Sequence, residues 1–461
     1  MLSIIKHLIP RPLLRIIMPV YHFSLAFLGA LIYRFPSQKL VVIGVTGTKG
    51  KTSTIEILNN ILEAGGAKTA VLGTLRFKVG ERNLRNLKKM SMPGRFFIQK
   101  FLRDAVDAGC THAVIEMTSE GAKQFRQRFI AMDALIFTNL SPEHIESHGS
   151  YEKYRDAKLS IARTLARSSK PHRYMIANTD DKEAGKFLSV NNVTPIPYSL
   201  ADGGDVKADE THIALTFRGT PMNSPLGGMF NASNIIGAAT CAAALGMQNE
   251  SIAKGVAKTE RIEGRMERIS EGQDFPVIVD YAHTPDSLEA IYKTFSGYEN
   301  ICVLGNTGGG RDKWKRPIMG SIAEKYCTAI ILTNEDPYDE DPMEILKEIS
   351  AGIKEKEPTI ILDRHEAIAH AIKLAKKLEG RSAGLDEVRG DKMGMSEGTY
   401  SRKFSRPHND INAEIRQTRR SPAVLITGKG TDPYIMGAHG TKIAWDDRDV
   451  AREELRKSIE A

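Results

Sequence analysis

The residue types best suited to chemistry lie together at positions 41–53, in the run Val41-Val42-Ile43-Gly44-Val45-Thr46-Gly47-Thr48-Lys49-Gly50-Lys51-Thr52-Ser53. An apolar stretch passes into a glycine-containing turn that ends Gly-Lys-Thr, and a helical pattern begins at once. Such a join aims the N–H groups of a loop and of a helix N-terminus at phosphate oxygens. Lys51 then sets its charge against the outer phosphates, and the Thr52 hydroxyl is placed to hold Mg²⁺. Gly47, Thr48, Lys49, Gly50 and Ser53 complete the cradle. The strict phosphate-loop spacing has a glycine where this chain has Val45, so the pattern is matched in part. A plain glycine turn between strand and helix is the competing reading.

Ligands of open α/β sheets collect at the carboxyl ends of strands, and the chain repeatedly places polar clusters there. Glu116-Met117-Thr118-Ser119 follows one apolar run, and Asn139-Leu140-Ser141-Pro142-Glu143-His144 follows another. Lys158 stands a little further on, in Tyr154-Arg155-Asp156-Ala157-Lys158. Later come Asp280-Tyr281-Ala282-His283-Thr284-Pro285, Asn306-Thr307-Gly308-Gly309-Gly310-Arg311 and Asn334-Glu335-Asp336-Pro337. Taken singly, Glu116 reads equally as a helix cap and His144 as a surface histidine. Together, at the ends of successive strands, they are more than folding alone demands.

The elements that must carry these residues alternate. Residues 40–45, 113–117 and 134–139 read as buried strands. Residues 52–64 and 96–108 read as helices, the first with Ile55, Leu58, Ile61 and Leu62 on one face. Short apolar strands between helices mean a mostly parallel sheet covered on both faces. Strands at 277–280, 301–305, 329–333, 359–362 and 423–427 announce a second α/β domain. The expected division is a short apolar segment at 1–37, a central domain at 38–260 and a C-terminal Rossmann-like domain at 261–461. A Gly/Ser/Arg-rich stretch at 380–421 lacks apolar periodicity and reads as a mobile insertion.

Composition is that of an ordinary globular chain of 461 residues, 41% hydrophobic and 26% charged. The net charge of +8 suits anionic substrates, and no basic block with interleaved aromatics argues for nucleic acid. Cys110, Cys241, Cys302 and Cys327 are widely spaced, with no CxxC pair, and read as reduced thiols of a cytosolic protein. Residues 16–33 hold no Asp, Glu, Lys or Arg, with Arg11 and Arg15 before and Arg34 and Lys39 after. A helix packed on the body, interfacial attachment of residues 13–33 to a membrane, and a short span all remain open.

Several of these motifs, in this order, resemble the Mur ligases: Thr46-Gly47-Thr48-Lys49-Gly50-Lys51-Thr52, Asn231-Ala232-Ser233-Asn234, Gly264-Arg265-Met266-Glu267, Asp280-Tyr281-Ala282-His283-Thr284-Pro285 and Gly428-Lys429-Gly430. The likeness is strongest to the branch that adds the third residue of the peptidoglycan stem peptide. It covers about residues 38–380 and 421–456. It implies a central ATPase domain and a C-terminal Rossmann-like domain, with ATP and Mg²⁺ as cofactors. The implied reaction phosphorylates a peptide carboxylate, which an incoming amine then attacks. By resemblance, Thr52 and Glu116 hold one Mg²⁺, and His144 with a carbamylated Lys158 a second. Lys51, Lys158, His144 and Arg265 carry the catalysis. Asn231 and Asn234 lie near adenine, while Arg265 and Asp280 reach phosphate and ribose from the C-terminal domain. Ser91, Thr118, Gln124 and Arg126 match muramyl-binding positions of a UDP-linked muramyl-dipeptide acceptor. Arg311, Glu335, Asp336, Tyr338, Gly428 and Asp432 match the amino-acid site.

The chain has three larger departures from the family and one smaller. Some forty residues precede the phosphate loop where a uridine-binding domain of roughly a hundred is usual, so uridine is held differently or the carrier is lipid-linked. Glu335-Asp336-Pro337-Tyr338 replaces Asp-Asn-Pro-Arg, exchanging a guanidinium for a phenol, so lysine-like substrates fit at least as well as diaminopimelate. The insertion at 380–421 is the third, and Glu120 stands where the family has a histidine. A folylpolyglutamate or cyanophycin-type ligase shares the same core, and a degenerate nucleotide-binding protein is the non-catalytic alternative. The expected protein is a cytoplasmic monomer, at the inner membrane face if the N-terminal segment attaches it.

Overall fold

The computed structural model describes residues 11–390 and 420–460. The chain forms two compact units, Met1–Ile262 and Glu263–Ala461. The first is built on an eight-stranded sheet. Its strands are β1 (Val41–Thr46), β2 (Thr69–Leu72), β3 (Arg76–Val79), β4 (Arg82–Arg85), β5 (His112–Glu116), β6 (Ala134–Phe137), β7 (Tyr174–Asn178) and β8 (Thr194–Tyr198). They lie in the order β4-β3-β2-β5-β1-β6-β7-β8. Pairing is parallel from β2 through β8, and β3 and β4 extend one edge antiparallel.

β1 shows why the sheet needs cover on both sides. Val42 turns into one apolar cluster with Ala113, Ile115 and Leu135, while Ile43 and Val45 turn into another with Val114 and Ile136. Alternate side chains on a pleated strand face opposite ways, so a strand apolar at every position must be sandwiched. Helix Lys51–Ala64 fills one side with Ile55, Leu58, Ile61 and Leu62, all buried. Helix Arg95–Asp107 fills the other with Ile98, Phe101, Leu102 and Ala105. β9 (Lys207–Ala208), β10 (Ile213–Phe217) and β11 (Thr220–Ser224) make a small antiparallel sheet.

The second unit holds β12 (Glu267–Ile269), β13 (Val277–Asp280), β14 (Glu299–Leu304), β15 (Ala329–Leu332), β16 (Thr359–Ile360) and β17 (Pro422–Thr427), in the order β12-β13-β17-β14-β15-β16. Only β12 runs antiparallel. Ala367, Ile368, Ala371, Ile372 and Ala375 recur at helical spacing on helix Arg364–Gly390 and close one face of this sheet. β18 (Tyr434–Met436) and β19 (Lys442–Ala444) form a hairpin before the last helix, Asp447–Glu460.

Two expectations change here. Residues 380–390, expected to begin a mobile insertion, continue the helix that starts at Arg364; residues 391–419 lie outside the described residues. Cys302 and Cys327 are joined in a disulfide, with Cα atoms 6.0 Å apart, rather than being separate thiols. Spacing in sequence hid the pairing. β14 carries Cys302, and the helix Lys315–Tyr326 returns the chain so that Cys327, at its C-cap, lies beside that strand. Cys110 and Cys241 are free and buried.

The N-terminal apolar segment is a helix, Arg11–Ile32, with Pro19 inside it. Ala26, Gly29 and Ala30 are buried, and Gly29 abuts Phe96 of helix Arg95–Asp107. Phe23 and Phe27 meet the edge of the Phe129 ring. Among the described residues no helix is long and apolar enough to cross a membrane.

Candidate active site

β1 lies in the interior of its sheet, so the loop that leaves it opens between the strand ends of β5 and β6. Two glycines make the loop possible. Gly47 has φ +153°, and a Cβ there would stand 1.9 Å from Thr138 Oγ1; Gly50 has φ +77°, and its Cβ would stand 2.3 Å from Asn234 Oδ1. Any side chain would collide at either position, and the left-handed backbone at Gly50 is itself costly for other residues. The residues after β6 buttress the loop. Thr138 Oγ1 donates to Lys49 O at 2.6 Å, and Lys49 N donates to Asn139 Oδ1 at 2.9 Å. Ser141 N donates to Thr48 Oγ1 at 3.0 Å, which also lies 3.0 Å from Tyr154 Oη.

The cations converge on this loop. Lys51 Nζ donates to Thr48 O at 2.8 Å. Lys158 Nζ donates to Gly47 O at 2.7 Å, lies over the Tyr154 ring and is buried. Burial, with Lys51 nearby, pushes the Lys158 amine well below the usual lysine range, against the opposing pull of Glu143 and Glu116. Its ammonium is therefore less favoured than that of an exposed lysine.

Glu116, the last residue of β5, gathers hydroxyls. Its Oε2 accepts from Thr52 Oγ1 at 3.4 Å, Thr74 N at 2.9 Å and Thr74 Oγ1 at 2.8 Å. Thr74 Oγ1 in turn lies 2.5 Å from Ser91 Oγ. Thr74 was not singled out from the sequence; it falls in a turn after β2 with no motif around it. His144 has a left-handed backbone (φ +56°) and meets the Tyr154 ring edge-on. Ser53 is buried on the helix that the loop starts. Asn234 Nδ2 donates to Asn231 Oδ1 at 3.1 Å, and Asn231 Nδ2 to Gly227 O at 2.8 Å, which seats the start of helix Met229–Ala244 beside Gly50.

Ser91, Thr118, Gln124 and Arg126, matched to muramyl-binding positions by resemblance alone, lie in the same unit. Thr118 caps helix Ser119–Lys123, accepting from Gly121 N at 3.1 Å. Arg126 donates to Gln124 Oε1 at 2.9 Å and to Met92 O, which ties it to the Ser91-Met92-Pro93 turn. Arg95 donates to Gln124 O at 2.8 Å and contacts His22 of the N-terminal helix. Glu120 takes His148 as its partner, with Nε2 3.1 Å from Oε1. That contact outweighs burial and, with the Ser147 hydroxyl, lowers the Glu120 carboxyl to about 2.

In the second unit, Asp280 ends β13 and accepts from Met266 N and Ala282 N, each at 2.6 Å; burial raises its carboxyl despite nearby Arg265. Arg265 lies over the Tyr281 ring. The loops after β14 and β15 pack on one another. Thr307 Oγ1 donates to Glu335 Oε1 at 2.7 Å, Gly308 N donates to Asp336 O at 2.8 Å, and Arg311 lies over the Tyr338 ring. Gly428 has φ +108° and leaves no room for a Cβ against Glu335 Oε2. That oxygen is buried and has no hydrogen-bond partner among the described residues. Asp336 and Asp432, assigned to the amino-acid site by resemblance, both bind the buried Lys429, at 2.9 and 3.1 Å.

One pair was not found from the sequence. Arg364 and Asp447 are fully buried and joined by two bonds of 2.7 and 2.8 Å. Arg364 also donates to Thr427 O and Asn334 O, and Asp447 accepts from Gly430 N and the Trp445 indole. Four segments far apart in sequence meet there, and no local motif announces it.

The chain matches the Mur ligase middle domain over residues 45–242 and the Mur ligase glutamate ligase domain over residues 264–380. It is 34% identical to the UDP-N-acetylmuramoyl-L-alanyl-D-glutamate–2,6-diaminopimelate ligase of Geobacillus kaustophilus, over 94% of this chain and 82% of that protein. It is 38% identical to the UDP-N-acetylmuramyl-tripeptide synthetase of a Roseiflexus species, over 75% of this chain and 71% of that protein. A solved UDP-N-acetylmuramoyl-L-alanyl-D-glutamate–2,6-diaminopimelate ligase aligns with a TM-score of 0.57 at 25% identity, over 94% and 82% of the two chains. The folylpolyglutamate synthase of Mycobacterium tuberculosis, complexed with ADP, shares the fold with a TM-score of 0.66 at 15% identity, over 96% and 94% of the two chains.

Proposed function

This chain belongs to the Mur ligase family, as an ATP-dependent, ADP-forming amide ligase, and we propose that it joins a free amino acid to a UDP-N-acetylmuramyl-peptide through an acyl phosphate, in peptidoglycan precursor synthesis. The observation that carries this reading is the convergence of Lys51, Thr52, Glu116 and Lys158 on one glycine loop.

A carboxylate does not react with an amine. Transfer of a γ-phosphoryl group to it brings like charges together, which demands cations aimed at the moving group. Lys51 supplies one. The hydroxyl and carboxylate oxygens of Thr52 and Glu116 are hard donors suited to Mg²⁺, which would neutralise phosphate charge when bound; His144 and Lys158 would hold a second ion. A neutral amine adds CO₂ with loss of a proton, burial shifts Lys158 toward that form, and the resulting carbamate is a carboxylate-like ligand. Asn231 and Asn234 take the nucleotide. Ser91, Thr118, Gln124 and Arg126 take the muramyl peptide.

For the incoming amino acid, Arg311 takes the α-carboxylate. Glu335 offers to a side-chain ammonium a buried oxygen that has no hydrogen-bond partner among the described residues, while Tyr338 replaces a guanidinium that would bind a distal carboxylate. These features support a lysine-like substrate at least as well as diaminopimelate. The protein acts in the cytoplasm as a monomer.

The test is coupling of amino acids to UDP-muramyl-dipeptides, read by mass. Amide formation and ADP release must both require acceptor, amine and magnesium, and Lys51→Ala must abolish them. Amide formation that persists in Lys51→Ala or without magnesium sinks the proposal. A strong preference for diaminopimelate over lysine and ornithine removes the lysine-like part. Turnover on a folate acceptor instead of a muramyl one would move the chain to the folylpolyglutamate class, whose fold it shares.

A further inference from the structure

Seven of the seventeen large apolar side chains that stand exposed among the described residues lie on one helix, Arg11–Ile32: Ile17, Val20, Phe23, Phe27, Leu28, Leu31 and Ile32. Val20 is 64% exposed and Ile32 is 55% exposed, so these are outward-facing groups rather than the margin of a core. The opposite face of the same helix is spent on helix Arg95–Asp107 through Ala26, Gly29 and Ala30. A folded monomer seldom keeps so contiguous an apolar stripe without a use for it.

The charge around the stripe has one sign. No aspartate or glutamate precedes Glu56, whereas in sequence Arg11 and Arg15 precede the stripe and Arg34 and Lys39 follow it. A second element repeats the pattern. The edge strand β4 and the turn after it, residues 82–90, carry Arg82, Arg85, Lys88 and Lys89 together with exposed Leu84, Leu87 and Met90. Both elements flank helix Arg95–Asp107. Phe96 abuts Gly29, Lys88 lies over the Phe97 ring, and Lys100 feels both Tyr33 and Arg82. The acidic side chains of that helix, Asp104 and Asp107, are already paired with Lys100 and Arg103.

We propose that this face of the first unit docks on an anionic lipid bilayer, with helix Arg11–Ile32 lying in the interface and the 82–90 segment adding cations beside it. An apolar stripe bracketed by cations, on a helix whose other face packs on the body of the protein, is what an interfacial helix requires. A second copy of the chain is the poorer occupant, because it would set the same cations against each other with no acidic partner on the helix. The inference is independent of the ligase reading, since none of these residues belongs to the proposed chemistry.

The test is flotation of the full-length protein with vesicles of phosphatidylcholine alone or with phosphatidylglycerol added to about a third of the lipid. Binding should need the anionic lipid and fall steeply with salt. Replacing Arg82, Arg85 and Lys88 by Gln should weaken it about fivefold per cation. Leu28→Ser with Leu31→Ser should weaken it about tenfold or more, with an unchanged circular dichroism spectrum. A natively folded protein that ignores anionic vesicles overturns the proposal. So does equal binding to neutral vesicles, or wild-type binding by the Leu28/Leu31 variant. A dimer in sedimentation that the same variant dissociates, with no vesicle binding, would assign the stripe to a second copy instead.

Discussion

Single side chains set the chemistry, and their surroundings make different predictions. Glu120 is held near 2 by His148, with Ser147 and Lys123 adding to the effect, against an ordinary 4.5. A carboxyl lowered in the folded state contributes stability that is present above about 4.5 and lost as pH falls toward 2. The gap in unfolding midpoint between wild type and Glu120→Gln should therefore be wider at pH 6 than at pH 3, in guanidinium titrations at both values. Tyr338 makes a kinetic prediction. Tyr338→Arg should restore a forked partner for a distal carboxylate and raise the rate ratio of diaminopimelate to lysine about tenfold, the order expected of a charged hydrogen bond. An unchanged ratio in competition assays would take Tyr338 out of substrate choice. Lys158 predicts a carbamate: protein equilibrated with ¹³C-bicarbonate should show one carbonyl signal that Lys158→Ala lacks.

Elements hold those side chains in place, and here contacts between remote segments matter most. The Arg364–Asp447 pair binds the ends of β15 and β17 to the last helix and to the Gly428-Lys429-Gly430 loop. Breaking it with Arg364→Met leaves a buried carboxylate uncompensated, which should cost about 3–5 kcal/mol in urea unfolding. A loss below about 1 kcal/mol would show that water or a neighbour replaces the guanidinium. The sequence made the glycine loop and the polar clusters at the ends of β1, β5, β6, β13, β14 and β15 readable, because each lies within a few residues of an apolar run. It left Thr74 and Arg364 unread because their partners are 42 and 83 residues away. β3 and β4 were missed for a related reason: an edge strand with all four residues exposed, as in β4, has no apolar alternation to detect. The Cys302–Cys327 bond was hidden likewise, since it depends on how a strand and a helix pack rather than on spacing.

At the scale of the whole molecule, each unit carries its own apolar core around its own sheet. A fragment of residues 263–461 should then fold alone, with a cooperative thermal transition and dispersed amide resonances; a molten fragment would show that the division is not one of stability. Synthesis adds a constraint of a different kind. Gly50 takes its shape against Asn234, which closes on Thr54 across 180 positions of chain. The ribosome releases Gly50 long before Asn234 exists, so the emerging N-terminal half has its signature motif but not the neighbour that shapes it. Newly made protein should therefore acquire affinity for nucleotide late and abruptly, only after helix Met229–Ala244 has cleared the exit tunnel.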